Sequence, residues 1–391
     1  MRKLIYLPLE AYTERYTLQL TDWNTEVFDR RDLDYVIVPG ETLDDSKQIV
    51  TGQVLDAHGR SYFAMSQMMN LIKMMKNGEV TSDDVILFED LFHPGIESLP
   101  YILDQVSAEF KPKIFVRCLA QSIDPDDFVH VCGMERWMGH YEKLVNEFVD
   151  GILASNEEMV AHMRIAGWEA PIYNISGLAF SKNEVQSRVE HIRDFDKRKM
   201  RVVFASRWDA EKQPDFYMDI IEQWQKSYPS RHVEFAICSG GKLKSNDASV
   251  LERTNKMIDD GKLVVYENLS KNQYYEILAN SRVLINTALQ DWTSNTISEA
   301  DALNTNVLVP AYRSFPEIMN NDFERMYITW SVHDVINKLD PLLRKQHINI
   351  GKVSNWTSQT VDRIVDIITG NGSEWLRENV FYRKHLREEK Y

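Results

Sequence analysis

Cysteine is scarce in this 391-residue sequence: Cys118, Cys132 and Cys238, with no CxxC pair among them. An odd, scattered set excludes a disulfide framework and a cysteine zinc site, and favours a reducing compartment. Positive charge is also short. Lys and Arg number 45 against 59 Asp and Glu, for a net charge of −14. Such a chain has no general basic coat for phosphate backbones, although a local basic groove remains open. No apolar run approaches the roughly 18 residues needed to span a bilayer. The opening "MRKLIYLPLEAYTER" is interrupted at Glu10, so it reads as a first strand rather than a signal-peptide core. A cytoplasmic protein without a membrane partner is the resulting expectation. Two phosphate-binding signatures are missing as well: neither GxGxxG nor GxxxxGK[ST] occurs, which disfavours a nicotinamide dehydrogenase and a P-loop enzyme.

What the sequence does have is apolar material for two cores: 43% of residues are hydrophobic and 11% aromatic. Its length exceeds one ordinary core, so two domains are expected. Short apolar runs alternate with amphipathic segments. In the first half they are 3–9, 35–40, 84–90, 113–120, 150–156 and 171–176. In the second they are 200–206, 232–241, 262–269, 281–289 and 306–312. Nearly continuous apolarity suits parallel strands covered on both faces. The spacing predicts helices over 61–78 and 214–228. Strand–helix alternation in both halves reads as two doubly wound, Rossmann-like α/β domains. The expected boundaries are 1–180, a charged linker 181–199, 200–372, and a terminal helix 373–391.

Three features fall at strand ends in the second half. "SRWDAEKQP" carries Arg207 and Lys212 just before a helix opening at Pro214. Two cations beside a helix N-terminus make an anion site suited to a diphosphate. "CSGG" places Gly240 and Gly241 where backbone can approach a ligand. "DWTSNTISE" opens a helix with Asp291, Thr293, Ser294, Asn295, Thr296 and Glu299. In isolation, Thr296-x-x-Glu299 is a capping box. In company with the other two loops, the 293–296 amides face a phosphate and Glu299 accepts from a ribose diol. The carboxyl ends of parallel strands share one sheet edge, where ligands bind.

These residues carry a resemblance. The second half is similar to the nucleotide-sugar domain of retaining GT-B glycosyltransferases, glycosyltransferase family 4 in particular. Arg207 and Lys212 match that family's Arg…Lys pair. Asp291 and Glu299 match its two acids separated by seven residues, with Asp in place of the usual Glu at the first. "SEADALNTNVLVP" echoes the family's helix and following strand, and Pro316-Glu317 its downstream Pro-Glu. "FVDGILASNEEMVAHMRIAGW" and "APIYNISGLAF" are similar to the family's last N-domain strand, helix and hinge. The resemblance implies a GT-B fold, two Rossmann-like domains facing each other across a cleft, and transfer of a sugar from a nucleotide diphosphate-sugar, UDP-linked by preference. It implies that Arg207 and Lys212 neutralise the leaving diphosphate without metal or other cofactor. It also implies that Glu299 holds the ribose, and that Asp291 and the backbone of 293–295 sit near sugar and phosphates.

The acceptor is expected on the first domain. Asp90, His93, Gln121 and Asp124 lie on the loops "FEDLFHPG" and "LAQSIDPDDF". Asp124 before Pro125 and His93-Pro94-Gly95 have plain alternatives as turns. Asp56 and Arg60 flank the entry to the Met-rich helix. The size, acidity and "TGQVLDAHGR" loop also resemble the phage glycosyltransferases that decorate hydroxymethylated cytosine. That implies a modified double-stranded DNA partner, for which Arg117, Arg136, Lys73 and Lys76 are the candidate basic patch. The alternatives are a small-molecule or glycan acceptor, or a non-catalytic nucleotide-sugar-binding protein.

Overall fold

The computed structural model describes residues 3–11, 16–43, 57–245, 247–370 and 380–381. Asp56 lies outside them. The described chain forms two compact units. One runs to Ala179 and regains the chain from Gln359 onward; the other is Phe180–Ser358.

The first unit holds six parallel strands: β1 (Leu4–Leu7), β2 (Tyr35–Ile37), β3 (Val85–Phe88), β4 (Lys113–Arg117), β5 (Gly151–Ala154) and β6 (Ile172–Asn174). The second has β7 (Arg201–Phe204), β8 (Glu234–Cys238), β9 (Val264–Tyr266), β10 (Val283–Ile285), β11 (Asn306–Pro310) and β12 (Met326–Tyr327), again all parallel. A last strand, β13 (Val380–Phe381), pairs antiparallel with β6. The sheet orders are β13-β6-β5-β4-β3-β1-β2 and β12-β11-β10-β7-β8-β9. The fold is α/β throughout, as the alternating pattern predicts.

Burial explains the composition. The central strands β1, β3, β5, β7, β10 and β11 are buried at every residue, as helices on both faces require. The helix Tyr16–Arg30 buries Leu20, Trp23, Val27 and Phe28, one helical face. The helix Pro214–Ser227 buries Phe216, Tyr217, Ile220, Ile221 and Trp224 in the same way. The predicted Met-rich helix runs Ala57–Lys76 and buries Ala64, Met68 and Leu71.

The expected boundaries shift at both ends of the second domain. Residues 181–199 are not a free linker. They form the helix Lys182–Ser187 and a 3₁₀ turn, Phe195–Lys197. Phe195 is buried there. Arg198 donates to the carbonyls of Asn304 (2.8 Å) and Leu303 (3.3 Å), so this segment is fixed to the second unit. The helix Thr360–Thr369 instead belongs to the first unit. Its Asp362 and Asp366 pair with Arg30 and Arg31 at 2.6 Å each, and the Thr360 hydroxyl donates to the Ser176 carbonyl at 2.6 Å. Of the predicted terminal helix 373–391, only Val380–Phe381 lies among the described residues, and it is strand.

Candidate functional site

The second sheet starts at β7 in its interior. The chain then moves one way to β8 and β9, and the other way to β10, β11 and β12. The order therefore reverses between β7 and β10, the position at which open α/β sheets bind ligands. The loops after β7, β8 and β10, which carry the three sequence features, are neighbours at this reversal.

The loop after β7 is stiff. Ala210–Lys212 form a 3₁₀ turn, Gln213 is left-handed (φ 53°), and Pro214 opens the next helix. A residue preceding proline is kept out of the right-handed helical region, so the turn cannot merge with the helix. Lys212 is 9% exposed and its Nζ donates to the Gln290 carbonyl at 2.8 Å. Arg207 donates through Nη2 to Glu211 Oε1 at 2.6 Å. The loops after β7 and β10 are sewn together: Leu289 N donates to the Glu211 carbonyl (3.0 Å) and the Thr287 hydroxyl to that of Lys212 (2.7 Å). Lys212 thus reaches the acid-flanked loop, while Arg207 is held by the acids of its own loop, Glu211 at 2.6 Å and Asp209 at 3.7 Å.

Asn286, directly after β10, organises that loop. Its Nδ2 donates to Asp291 Oδ2 (3.2 Å) and Ser294 Oγ (3.3 Å), and its Oδ1 accepts from Ala288 N (2.8 Å). The Ser314 hydroxyl donates to the Asp291 carbonyl at 2.8 Å. The helix begins at Asn295 with Ser294 as N-cap, and Ser294 makes no side-chain capping bond. Its hydroxyl meets Thr296 Oγ1 at 3.0 Å instead. The Ser294 carbonyl accepts from Ile297 N and Ser298 N at 3.2 Å each, so of the first-turn amides those of Asn295 and Thr296 lack an acceptor within the helix.

The capping-box reading of Glu299 fails. Glu299 is 2% exposed, and its Oε1 accepts from Lys271 Nζ at 2.8 Å and the Tyr275 hydroxyl at 2.9 Å. Both donors come from the helix Lys271–Ala279, which follows β9. The Lys271 ammonium also stands over the rings of Tyr275 (5.3 Å) and Tyr274 (5.6 Å). Gly240 and Gly241 follow β8. A methyl group on Gly240 would meet only ordinary contact, the Leu269 carbonyl at 3.8 Å, so packing within the unit does not require glycine there.

In the first unit, order reverses between β1 and β3. Glu10 follows β1 and Asp90 follows β3, and Arg60 joins them. Its Nη1 donates to Glu10 Oε2 at 3.3 Å, and its Nη2 donates to Asp90 and to the Phe92 carbonyl. Burial pushes the Asp90 carboxyl up, opposed by Arg60. His93 is buried, with Nε2 3.0 Å from Gln67 Oε1. Burial, with the Arg60 charge, pushes its imidazole down to about 3, so it is neutral at pH 7. Gln121 and Asp124 lie apart, after β4. Gln121 donates to the Met159 carbonyl (3.0 Å) and Asp124 Oδ1 accepts from Asp126 N (3.0 Å), the turn geometry expected of Asp before Pro. Asp124 shapes the loop "QSIDPDDF", and Gln121 ties it to the helix Glu157–Ile165.

Arg117 is not part of a surface patch. It is fully buried; its Nη1 donates to Glu89 Oε1 at 2.6 Å and its Nη2 to the Gly177 carbonyl at 3.0 Å. Tyr6 and Asn24 donate to the other Glu89 oxygen. Arg136, Lys73 and Lys76 are exposed. Sequence reasoning missed Asn286, Lys271, Tyr275 and Glu10. Lys271 was within reach of the strand-end argument, since it follows β9 as Lys212 follows β7.

No protein-family model matches the chain, and no curated protein matches it. Solved structures do. The apo structure of OtsA superposes with a TM-score of 0.65 over 94% of this chain and 99% of its own, at 8% identity. The apo form of WaaB, a lipopolysaccharide outer core galactosyltransferase, gives 0.62 over 95% and 100%, at 10% identity. Anabaena Alr3699/HepE, solved in complex with UDP and glucose, gives 0.60 over 95% and 99%, at 11% identity. The likeness spans nearly the whole of each chain. It shows the fold: the two-domain α/β architecture of GT-B glycosyltransferases. Among the described residues, no helix is long and apolar enough to cross a membrane.

Proposed function

We propose that the second unit binds a nucleotide diphosphate-sugar, UDP-linked by preference, and that the protein is a retaining glycosyltransferase. One observation carries the reading: Lys212, Asp291 and a helix N-terminus without a side-chain cap lie on the joined loops where β7 and β10 reverse the strand order, with Arg207 on the same loop as Lys212. Fixed cations and oriented amides suit the charge that builds on a departing diphosphate. The UDP and glucose held by the Anabaena protein of the same fold support the choice of donor.

In this mechanism the bond between the anomeric carbon and the β-phosphate oxygen breaks. The acceptor oxygen bonds to that carbon from the same face, and its proton passes to the departing phosphate. Lys212 and Arg207 stabilise the leaving group. No metal is assigned a part, since the cations and amides supply the compensating charge. Glu299 accepts from the ribose diol, Gly240 and Gly241 leave room for the nucleotide, and Asp291 orients the sugar. Asp90, His93 and Arg60 belong to the acceptor side. A hydroxymethylated DNA duplex is the less favoured acceptor, because Arg117 is enclosed and neutralised by Glu89.

The test is a thermal-shift panel of nucleoside diphosphates and their sugars, followed by product analysis with sugar, glycan and hydroxymethylated-duplex acceptors. UDP is expected to raise the melting temperature, because a ligand bound only by the folded state stabilises it. No shift with any nucleotide defeats the reading. Binding without turnover on any acceptor would mark a nucleotide-sugar-binding protein instead.

A further inference from the structure

We propose that Trp330 and Tyr312 form a stacking platform for the sugar rings of a neutral oligosaccharide acceptor; this rests on the glycosyltransferase reading above. The two residues leave neighbouring strands. Pro310 of β11 pairs with Tyr327 of β12, and Ala311 N donates to the Tyr327 carbonyl at 2.7 Å, so the segments beyond run side by side. The Tyr312 and Trp330 rings lie 6.3 Å apart, centroid to centroid, and are inclined at 45°.

The backbone is strained at both segments. Trp330 has φ 61° and Arg313 φ 50°, a left-handed conformation that crowds a side chain against its own carbonyl. Burial does not offset that strain, since the Trp330 side chain is 60% exposed. Ile328, two residues earlier, is 67% exposed. A fold that keeps an indole in solvent on a disfavoured backbone holds a surface whose return comes on binding.

The platform is continuous with the donor site. The Ser314 hydroxyl clamps the Tyr312 loop to the Asp291 carbonyl at 2.8 Å, and the Tyr327 hydroxyl donates to the Asn286 carbonyl at 3.0 Å. Since β12, β11 and β10 are consecutive, about 10 Å separates the ends of β10 and β12, a few sugar rings at most. A pyranose ring offers a flat C–H face to an aromatic ring while its hydroxyl rim stays wet. The Arg313 guanidinium stands over the Tyr312 ring at 5.5 Å from its centroid, so the exposed Trp330 ring carries most of the stacking. Nucleobases stack as well, but a chain of net charge −14 repels a polyanion, and one arginine does not reverse that.

The experiment titrates maltohexaose, cellohexaose and chitohexaose into the full chain without donor, by calorimetry, for the parent, Trp330→Gly and Trp330→Phe. At least one hexasaccharide is expected to bind the parent. Trp330→Gly should weaken it about tenfold, the effect of losing one stacked ring. Trp330→Phe, which keeps a ring, should stay within about threefold. The Trp330→Gly variant should melt no lower than the parent, because glycine accepts the left-handed backbone. The proposal is overturned if no hexasaccharide binds the parent, if Trp330→Gly binds equally well, or if that variant melts lower and so reveals a packing role. Tighter, Trp330-dependent binding of an oligothymidylate overturns it in favour of a nucleic acid. A UDP thermal shift on the same samples separates the two readings: its presence without saccharide binding rejects the platform alone, and its absence rejects the transferase.

Discussion

Lys271 and Glu299 meet at 2.8 Å, the carboxylate side chain 2% exposed and its cation 23%. The pair joins the helix after β9 to the helix after β10, and Tyr275 donates to the same carboxylate oxygen. The two donors fix the carboxylate in direction, which a group recognising a diol requires. Glu299→Gln keeps the Tyr275 bond and removes the charge. It should fold and bind UDP about tenfold more weakly by calorimetry, the loss of a charge-assisted bond. Unchanged affinity would remove Glu299 from the nucleotide site. Lys271→Met leaves a nearly enclosed charge with one donor and should cost about 2 kcal/mol in urea unfolding, held to that level because the lysine is part-exposed.

Lys212→Ala should lower turnover of the sugar donor by a factor of about 10² to 10³ with a small change in donor KM, since its charge answers one that develops late. Arg207→Ala should cost less, because Arg207 is 39% exposed on its side chain and already held by Glu211 at 2.6 Å. Steady-state kinetics of UDP release would measure both. If Lys212→Ala raises KM and leaves kcat alone, the lysine binds donor uniformly and does not stabilise the leaving group.

The strands and their parallel pairing were legible in the sequence because a doubly covered strand must be apolar at every position. The runs around β1, β3, β7, β10 and β11 show that. Two-residue strands carry no such signature, so β12 and β13 went unseen. Arg207, Lys212 and Asp291 could be grouped because each follows a strand and strand ends share an edge. What the sequence hides is the identity of partners. Thr296-x-x-Glu299 spells a capping box, yet Lys271 and Tyr275 take the carboxylate. Arg117 looks like surface charge, yet Glu89, 28 residues away, takes it inside. Local pattern states what a side chain can do, and tertiary packing selects among those options.

His93 provides a pH test in the first unit. Burial and the Arg60 charge hold its pKa near 3, below the ordinary histidine value of 6.5. The unfolded chain therefore binds a proton that the folded chain refuses between those values. The stabilising contribution is complete above about pH 6.5 and is lost as pH falls toward 3. Between pH 6.5 and 5 the loss is about 2 kcal/mol. Urea unfolding of parent and His93→Gln across this range isolates it, because raised carboxylates such as Asp90 and Glu89 act in both proteins. The difference should shrink toward low pH. A pH-independent difference would mean that His93 is protonated within the fold.

Asn286 is 1% exposed and its side chain makes three bonds: two donated, to Asp291 and Ser294, and one accepted, from Ala288 N. Its position directly after β10 makes it the hinge on which the acid-flanked loop is set. Asn286→Ala strands the Ala288 amide and frees Asp291, for a stability loss of about 2 kcal/mol. Asn286→Asp still accepts from Ala288 N, but it sets a second carboxylate where an amide met Asp291 Oδ2 at 3.2 Å. Like charges at that range push the Asp291 loop away. Asn286→Asp should therefore raise donor KM several-fold more than Asn286→Ala does. The two variants separate a scaffold from a positioning residue. If KM tracks the loss of stability in both, Asn286 serves only the fold. If KM rises most where the new carboxylate confronts Asp291, the loop geometry set by Asn286 is what the donor reads.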